Sequence, residues 1–178
     1  MGNLFIGFML IFLDFNLNLG NSTIGLIPDF IGYIVMIKGL EQMDKESAFF
    51  MKIKPYVTGM AFYSTFLYLL DLLGVSISLG VLTYVLAIIS TVISLYISYN
   101  IVMGVIDMEG KYNTYLNGNS LKSTWTLLAV FNILSFVTLM IPLISLISII
   151  GSFIVAIIFL VAFNNSKNLY YDTAIKRF

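Results

Sequence analysis

The sequence predicts an all-α, polytopic membrane helix bundle, and three observations carry that reading. Only 10% of its residues are charged and 60% are hydrophobic, whereas an ordinary soluble domain holds about 25% charged residues. Two runs, Leu72 to Ile106 and Ser123 to Ser166, contain no charged residue, and each exceeds the roughly 20 residues that cross a bilayer. Every lysine and arginine lies in a segment that an alternating topology puts on one side. Together these predict a single transmembrane domain over residues 1–178 with about six spans. Both ends are expected inside (N-in/C-in), in a multi-pass protein of the cytoplasmic membrane.

Segment A, about Asn3 to Leu19, reads as the first membrane segment and not as a removed signal. No basic residue precedes it and no small-residue cleavage site follows. Asn3, Gly7, Asp14 and Asn18 share one helical face. Gly20-Asn-Ser-Thr23 makes a turn, and segment B follows to about Leu40. In B, Pro28 suits a first helical turn and Asp29 sits at the positive end of the helix dipole. Gly25, Asp29, Gly32, Met36 and Gly39 align on one face, a groove of small residues that lets a neighbouring helix approach closely. A and B are each short for a crossing, so four spans plus a re-entrant hairpin fits the charges as well as six spans.

Glu41 to Lys54 gathers Glu41, Asp44, Lys45, Glu46, Lys52 and Lys54 and reads as an interfacial helix or loop. Segment C runs from Pro55 to about Gly74, with Thr58, Ala61, Thr65, Tyr68 and Asp71 as a polar stripe. After a short Val75 to Leu79 link, segment D runs from Gly80 to about Ile106, with Ala87, Thr91, Ser94 and Ser98 as its small-residue face. A second polar link, Asp107 to Lys122, contains the turn-like Asn117-Gly-Asn-Ser120. The uncharged run after it would span ~66 Å as one helix, so it must be two. A break near Ile141-Pro142 gives E (about Leu121 to Met140, with Asn132 and Ser135) and F (about Leu143 to Asn164, with Ser148, Ser152 and Ala156), followed by a tail over 165–178.

The chain has neither cysteine nor histidine, which excludes disulfides, thiolate chemistry and most zinc or haem sites. There is no G-x-S-x-G, no H-E-x-x-H and no Gly-rich phosphate loop with a lysine, so neither an enzyme nor a cofactor is expected. Zero formal net charge gives no reason to expect nucleic acid as a partner.

Chemistry is expected at the acids that lie outside the basic segments, Asp14, Asp29 and Asp71. Ionisable residues at membrane depth mark functional sites by default, and no basic residue lies on that side. A bound cation, a proton, the amides of Asn16, Asn18 and Asn21, or the N-terminus of helix B would have to accommodate them. Structural readings stand beside this one: Asp29 held by the dipole, Asp71 at the wet mouth of C, Asp14 in an outer loop.

The first expectation is an outward-facing site for a small cation or solute, lined by Asp14, Asn18 and Asp71 with Asp29 and Tyr68. The second is a helper subunit that grips a larger membrane protein, or another copy of itself. Its contacts would be the glycine face of B (Gly25, Gly32, Gly39) and the small faces of D and F (Ala87, Ser94, Ser98, Ser148, Ser152). In either case the lipid bilayer is the surrounding partner.

The string Leu26-Ile-Pro-Asp-Phe-Ile-Gly-Tyr33, with Gly39-Leu40 after it, resembles a signature of small uncharacterised membrane proteins of AT-rich Gram-positive bacteria. The resemblance covers segment B and implies no activity. In size and six-helix plan the chain is also similar to the substrate-binding components of energy-coupling-factor vitamin transporters, which implies capture of a solute from outside. The link between A and B is too short for the long capping loop of those proteins.

Overall fold

The computed structural model describes residues 1–13, 16–19, 22–25, 28–73, 81–138 and 141–175. Asp14, Asn21, the 75–79 link, Lys176 and Arg177 lie outside the described residues, as do the side chains of 16–19 and 22–25, Asn16, Asn18 and Gly25 among them. Among the described residues there are six helices: α1 Gly2–Phe12, α2 Asp29–Met43, α3 Ala48–Leu72, α4 Val81–Tyr112, α5 Gly118–Val137 and α6 Pro142–Ile175. Of these α4, α5 and α6 are long and apolar enough to cross a membrane.

Between α1 and α2 stands an antiparallel hairpin of β1 Asn16–Leu19 and β2 Ser22–Gly25, in the register Asn16↔Gly25 and Leu19↔Ser22. This corrects segment A, which is helical only to Phe12. The physical reason is in the sequence: Asn16-Leu-Asn-Leu19 alternates with period 2, asparagine is a weak helix former, and Gly20-Asn21 is a favoured two-residue hairpin loop.

Four further boundaries move, the first being the end of α4, which runs past Ile106 into the expected polar link and stops at Tyr112. Helix α3 begins at Ala48, so Pro55 lies inside it and does not open it. Ser47 sets that start, its Oγ accepting from the Phe49 N–H at 3.3 Å and donating to Asp107 Oδ2 at 2.6 Å, a strong N-cap. The stretch 41–54 is therefore the end of α2, a tight turn and the first turns of α3. Helix α5 begins at Gly118, where Glu109 Oε1 accepts from the N–H groups of Leu116 (2.6 Å) and Gly118 (3.0 Å). The expected tail is helical, because α6 continues to Ile175 with Tyr170 donating to Glu46 Oε1 at 3.1 Å and Tyr171 Oη accepting from Gly2 N–H at 3.0 Å. The break at Ile141-Pro142 is where α6 begins.

Each helix packs on its neighbours in sequence, and α6 returns to α1, closing a ring. In the α1/α2 contact backbone meets backbone at small residues. A Cβ on Gly7 would lie 2.9 Å from Gly32 O and Met36 Cβ, and one on Gly39 would lie 2.7 Å from Leu4 N. The ring closes through edge-to-face contacts of Phe8 with Phe159 (5.3 Å) and Phe163 (5.1 Å). Phe50 fills the space over Gly104 between α3 and α4, and Phe131 does the same over Gly151 between α5 and α6.

All lysines among the described residues gather at or near one end. Lys111 Nζ donates to the carbonyls of Lys45 (3.0 Å) and Glu46 (3.1 Å), joining the end of α4 to the α2–α3 turn. The Met1 amine, which donates to Met43 Sδ at 3.2 Å, is buried there too. The core concentrates toward this basic end, in Leu4, Met43, Phe50, Ile53, Val105, Met108, Leu121 and Phe163. Toward the opposite end apolar side chains face outward, with Phe62 74% and Leu73 75% exposed.

Candidate functional site: a polar cavity inside the helix ring

Within the ring lies a cavity of about 160 Å³, ample for several waters, since one needs only about 10–15 Å³ of such volume. Its walls are Ile11 and Phe12 of α1, Asp29 and Tyr33 of α2, Ser90, Thr91, Ser94, Leu95 and Ser98 of α4, and Leu128 and Asn132 of α5. The close α1/α2 packing carries the first residues of α2 into the ring. On α4, the spacing of Ser90/Thr91, Ser94 and Ser98 is that of one helical face.

The hydrogen-bond bookkeeping fixes what the cavity offers. Ser98 Oγ donates to the carbonyls of Ser94 (2.9 Å) and Leu95 (3.0 Å) and accepts from Trp125 Nε1 at 2.9 Å. Thr91 Oγ1 donates to Ala87 O at 2.9 Å, and Asn132 Nδ2 donates to Leu128 O at 2.8 Å. Tyr33 and Ser94 meet side chain to side chain. The hydroxyl protons of Thr91 and Ser98 are thus directed back into α4, which leaves oxygen lone pairs of these residues and the Asn132 carbonyl oxygen as acceptors. With the Asp29 carboxylate and with no lysine or arginine in its wall, the cavity is rich in oxygen acceptors. Hard cations take such donors.

Of the residues singled out from sequence, the cavity brings together Asp29, Thr91, Ser94, Ser98 and Asn132. Tyr68 and Asp71 do not line it. Tyr68 packs edge-to-face on Phe30 at 5.7 Å, and Asp71 sits half-buried in the last turn of α3. Gly32 and Gly39 are buried against α1 as a packing face should be. Ser148 is buried and accepts from Thr138 Oγ1 at 3.3 Å, while Ser152 bonds its own helix at Ile149 O. Ala87 is exposed, so the small-residue face of α4 divides, its Ser94 and Ser98 part turning into the ring. Tyr33 and Ser90 were not singled out. Tyr33 stands four residues after Asp29, one turn on, and that spacing was the available signal.

Among the described residues no group of three or more acidic side chains is placed to hold a metal ion. Any cation here would be held by one carboxylate and neutral oxygens. The chain matches no protein-family model, no curated protein and no solved structure.

Proposed function

We propose that this chain is a six-span protein of the cytoplasmic membrane, both ends inside, that binds a small monovalent cation in the cavity at Asp29. The observation that supports this most is the cavity's inventory, one carboxylate with the Thr91 and Ser98 hydroxyl oxygens, whose protons are engaged by helix carbonyls, and the Asn132 amide oxygen. A single carboxylate balances a single positive charge, and ionisable residues at membrane depth mark functional sites by default. The positive-inside rule makes the basic end cytoplasmic.

Short α1 and α2 fit this topology through the hairpin. Eleven helical residues rise ~16 Å and four extended ones ~13 Å, about 30 Å together, one hydrocarbon core. Strand edges are tolerated at that depth only against protein or water, so the hairpin belongs beside the other helices, where β2 lies along α3.

The test is thermal unfolding of purified protein in sodium, potassium or a bulky organic cation at constant ionic strength. At a hundredfold excess over Kd, binding to the folded state adds about 2.7 kcal/mol, a shift of roughly 5–10 °C for a chain of this size. One small cation is expected to give that shift, Asp29→Asn to abolish it, and Ser94→Ala to weaken it. Identical melting in all three salts overturns the reading.

A further inference from the structure

A second concave site lies between α3 and α4, sharing no residue with the cavity. It is a groove of about 370 Å³ lined by Pro55, Tyr56, Gly59, Met60, Tyr63 and Ile93, within the roughly 300–1,000 Å³ of ligand pockets. Its lining is almost wholly apolar. Tyr63 Oη donates to Leu86 O at 2.9 Å, tying the ring to α4. At Gly59 an added Cβ would meet nothing within 4 Å, so this part of the groove is open by the width of a side chain.

On α3, Lys52, Tyr56, Gly59 and Tyr63 recur at spacings of four, three and four, one helical face. Lys52 therefore stands about 6 Å beyond the groove toward the basic end. Its neighbour Lys54 is paired with Glu41 at 2.9 Å. Lys52 is exposed and makes no hydrogen bond or ion pair among the described residues. A cation at the membrane surface in line with an apolar slot running into the membrane has the shape and charge order of an amphiphile with an anionic head.

We infer that α3 and α4 hold an anionic phospholipid of the inner leaflet, its phosphate against Lys52 and an acyl chain in the groove beside Gly59. Basic residues at the cytoplasmic edge of membrane helices recruit anionic lipid in this way, and the groove adds a place for the chain.

Native mass spectrometry and melting with added dioleoyl phosphatidylglycerol or dioleoyl phosphatidylcholine test it. The wild type is expected to retain phosphatidylglycerol preferentially and to be stabilised by it more than by phosphatidylcholine. Lys52→Gln should weaken phosphatidylglycerol binding about fivefold and leave phosphatidylcholine binding unchanged, while Gly59→Leu should fill the groove and lose both. Equal retention of the two lipids by the wild type, or Lys52→Gln indistinguishable from it, overturns the assignment. So does spontaneous dimer formation by Gly59→Cys in lipid-rich membranes, which would make the groove a contact between two copies. If Gly59→Leu fails to fold, Lys52→Gln decides alone, because its side chain supports nothing else.

Discussion

Gly32 shows how one missing side chain sets the position of two helices. A Cβ there would lie 2.7 Å from Ile11 Cγ1 and 3.1 Å from Gly7 O, so the Ile11 side chain would have to move and the α1 backbone at Gly7 to give way by a few tenths of an ångström. Overpacking of this kind costs typically about 1–3 kcal/mol, so Gly32→Leu is expected to lower stability in mild detergent by that amount. Ile34→Leu, at a position 45% exposed, should stay within about 0.5 kcal/mol. Equal melting of the two variants would mean that α1 and α2 separate readily. The glycine face itself is readable from spacing alone. Its partner is not, since nothing local says that Gly7 will meet Gly32.

The Met1 amine is the second residue-scale case. Burial pushes its pKa down to about 6 from 8.0, against the pull of Glu46 upward. The unfolded chain then holds more protons between those values, so stability should rise from pH 6 to pH 8, by on the order of 1–2 kcal/mol. Melting curves across that interval check it, and a flat profile would mean that the amine is hydrated in the folded state.

At the scale of elements, local signals compete and the stronger one wins. Pro55 looks like a helix start because its missing N–H is harmless in a first turn. Ser47, eight residues earlier, has a capping hydroxyl and an Asp107 partner, and the helix begins just after it. Asp107 is sixty residues away in the chain, which is why sequence alone favoured the proline. Ser47→Ala removes both bonds and should cost about 1–2 kcal/mol, more than Thr126→Ala, whose Oγ1 only returns to Lys122 O within α5. Comparable melting of the two variants would deny the cap its role. The hairpin makes a different point. Its period-2 alternation is present in Asn16-Leu-Asn-Leu19 but is only four residues long, and the apolar helix before it masks the change of period.

At the scale of the whole molecule, charge sidedness was legible because it is a sum over segments and tolerates errors in each boundary. The cavity was not, since it exists only where α1, α2, α4 and α5 converge; sequence offered Asp29, Thr91, Ser94, Ser98 and Asn132 but not their meeting. Helices α4 and α6, at about 48 and 51 Å, exceed a hydrocarbon core of about 30 Å. In the proposed topology the surplus stands in the cytoplasm, where the dense packing of the basic end suits it.

The proposed topology makes a prediction that the cysteine-free chain renders clean. Cysteines at Ser22, Leu73 and Ile141 should react with an impermeant maleimide in intact cells. Those at Lys45 and Asn119, exposed residues of the basic end, should react only after the membrane is opened. Ser22 protected while Leu73 reacts would mean that the hairpin ends inside the membrane, leaving four spans and a re-entrant pair around the same cavity. Reaction of Lys45 and Asn119 in intact cells would invert the molecule, place Lys52 and the α3–α4 groove in the outer leaflet, and overturn the cytoplasmic assignment of the basic end.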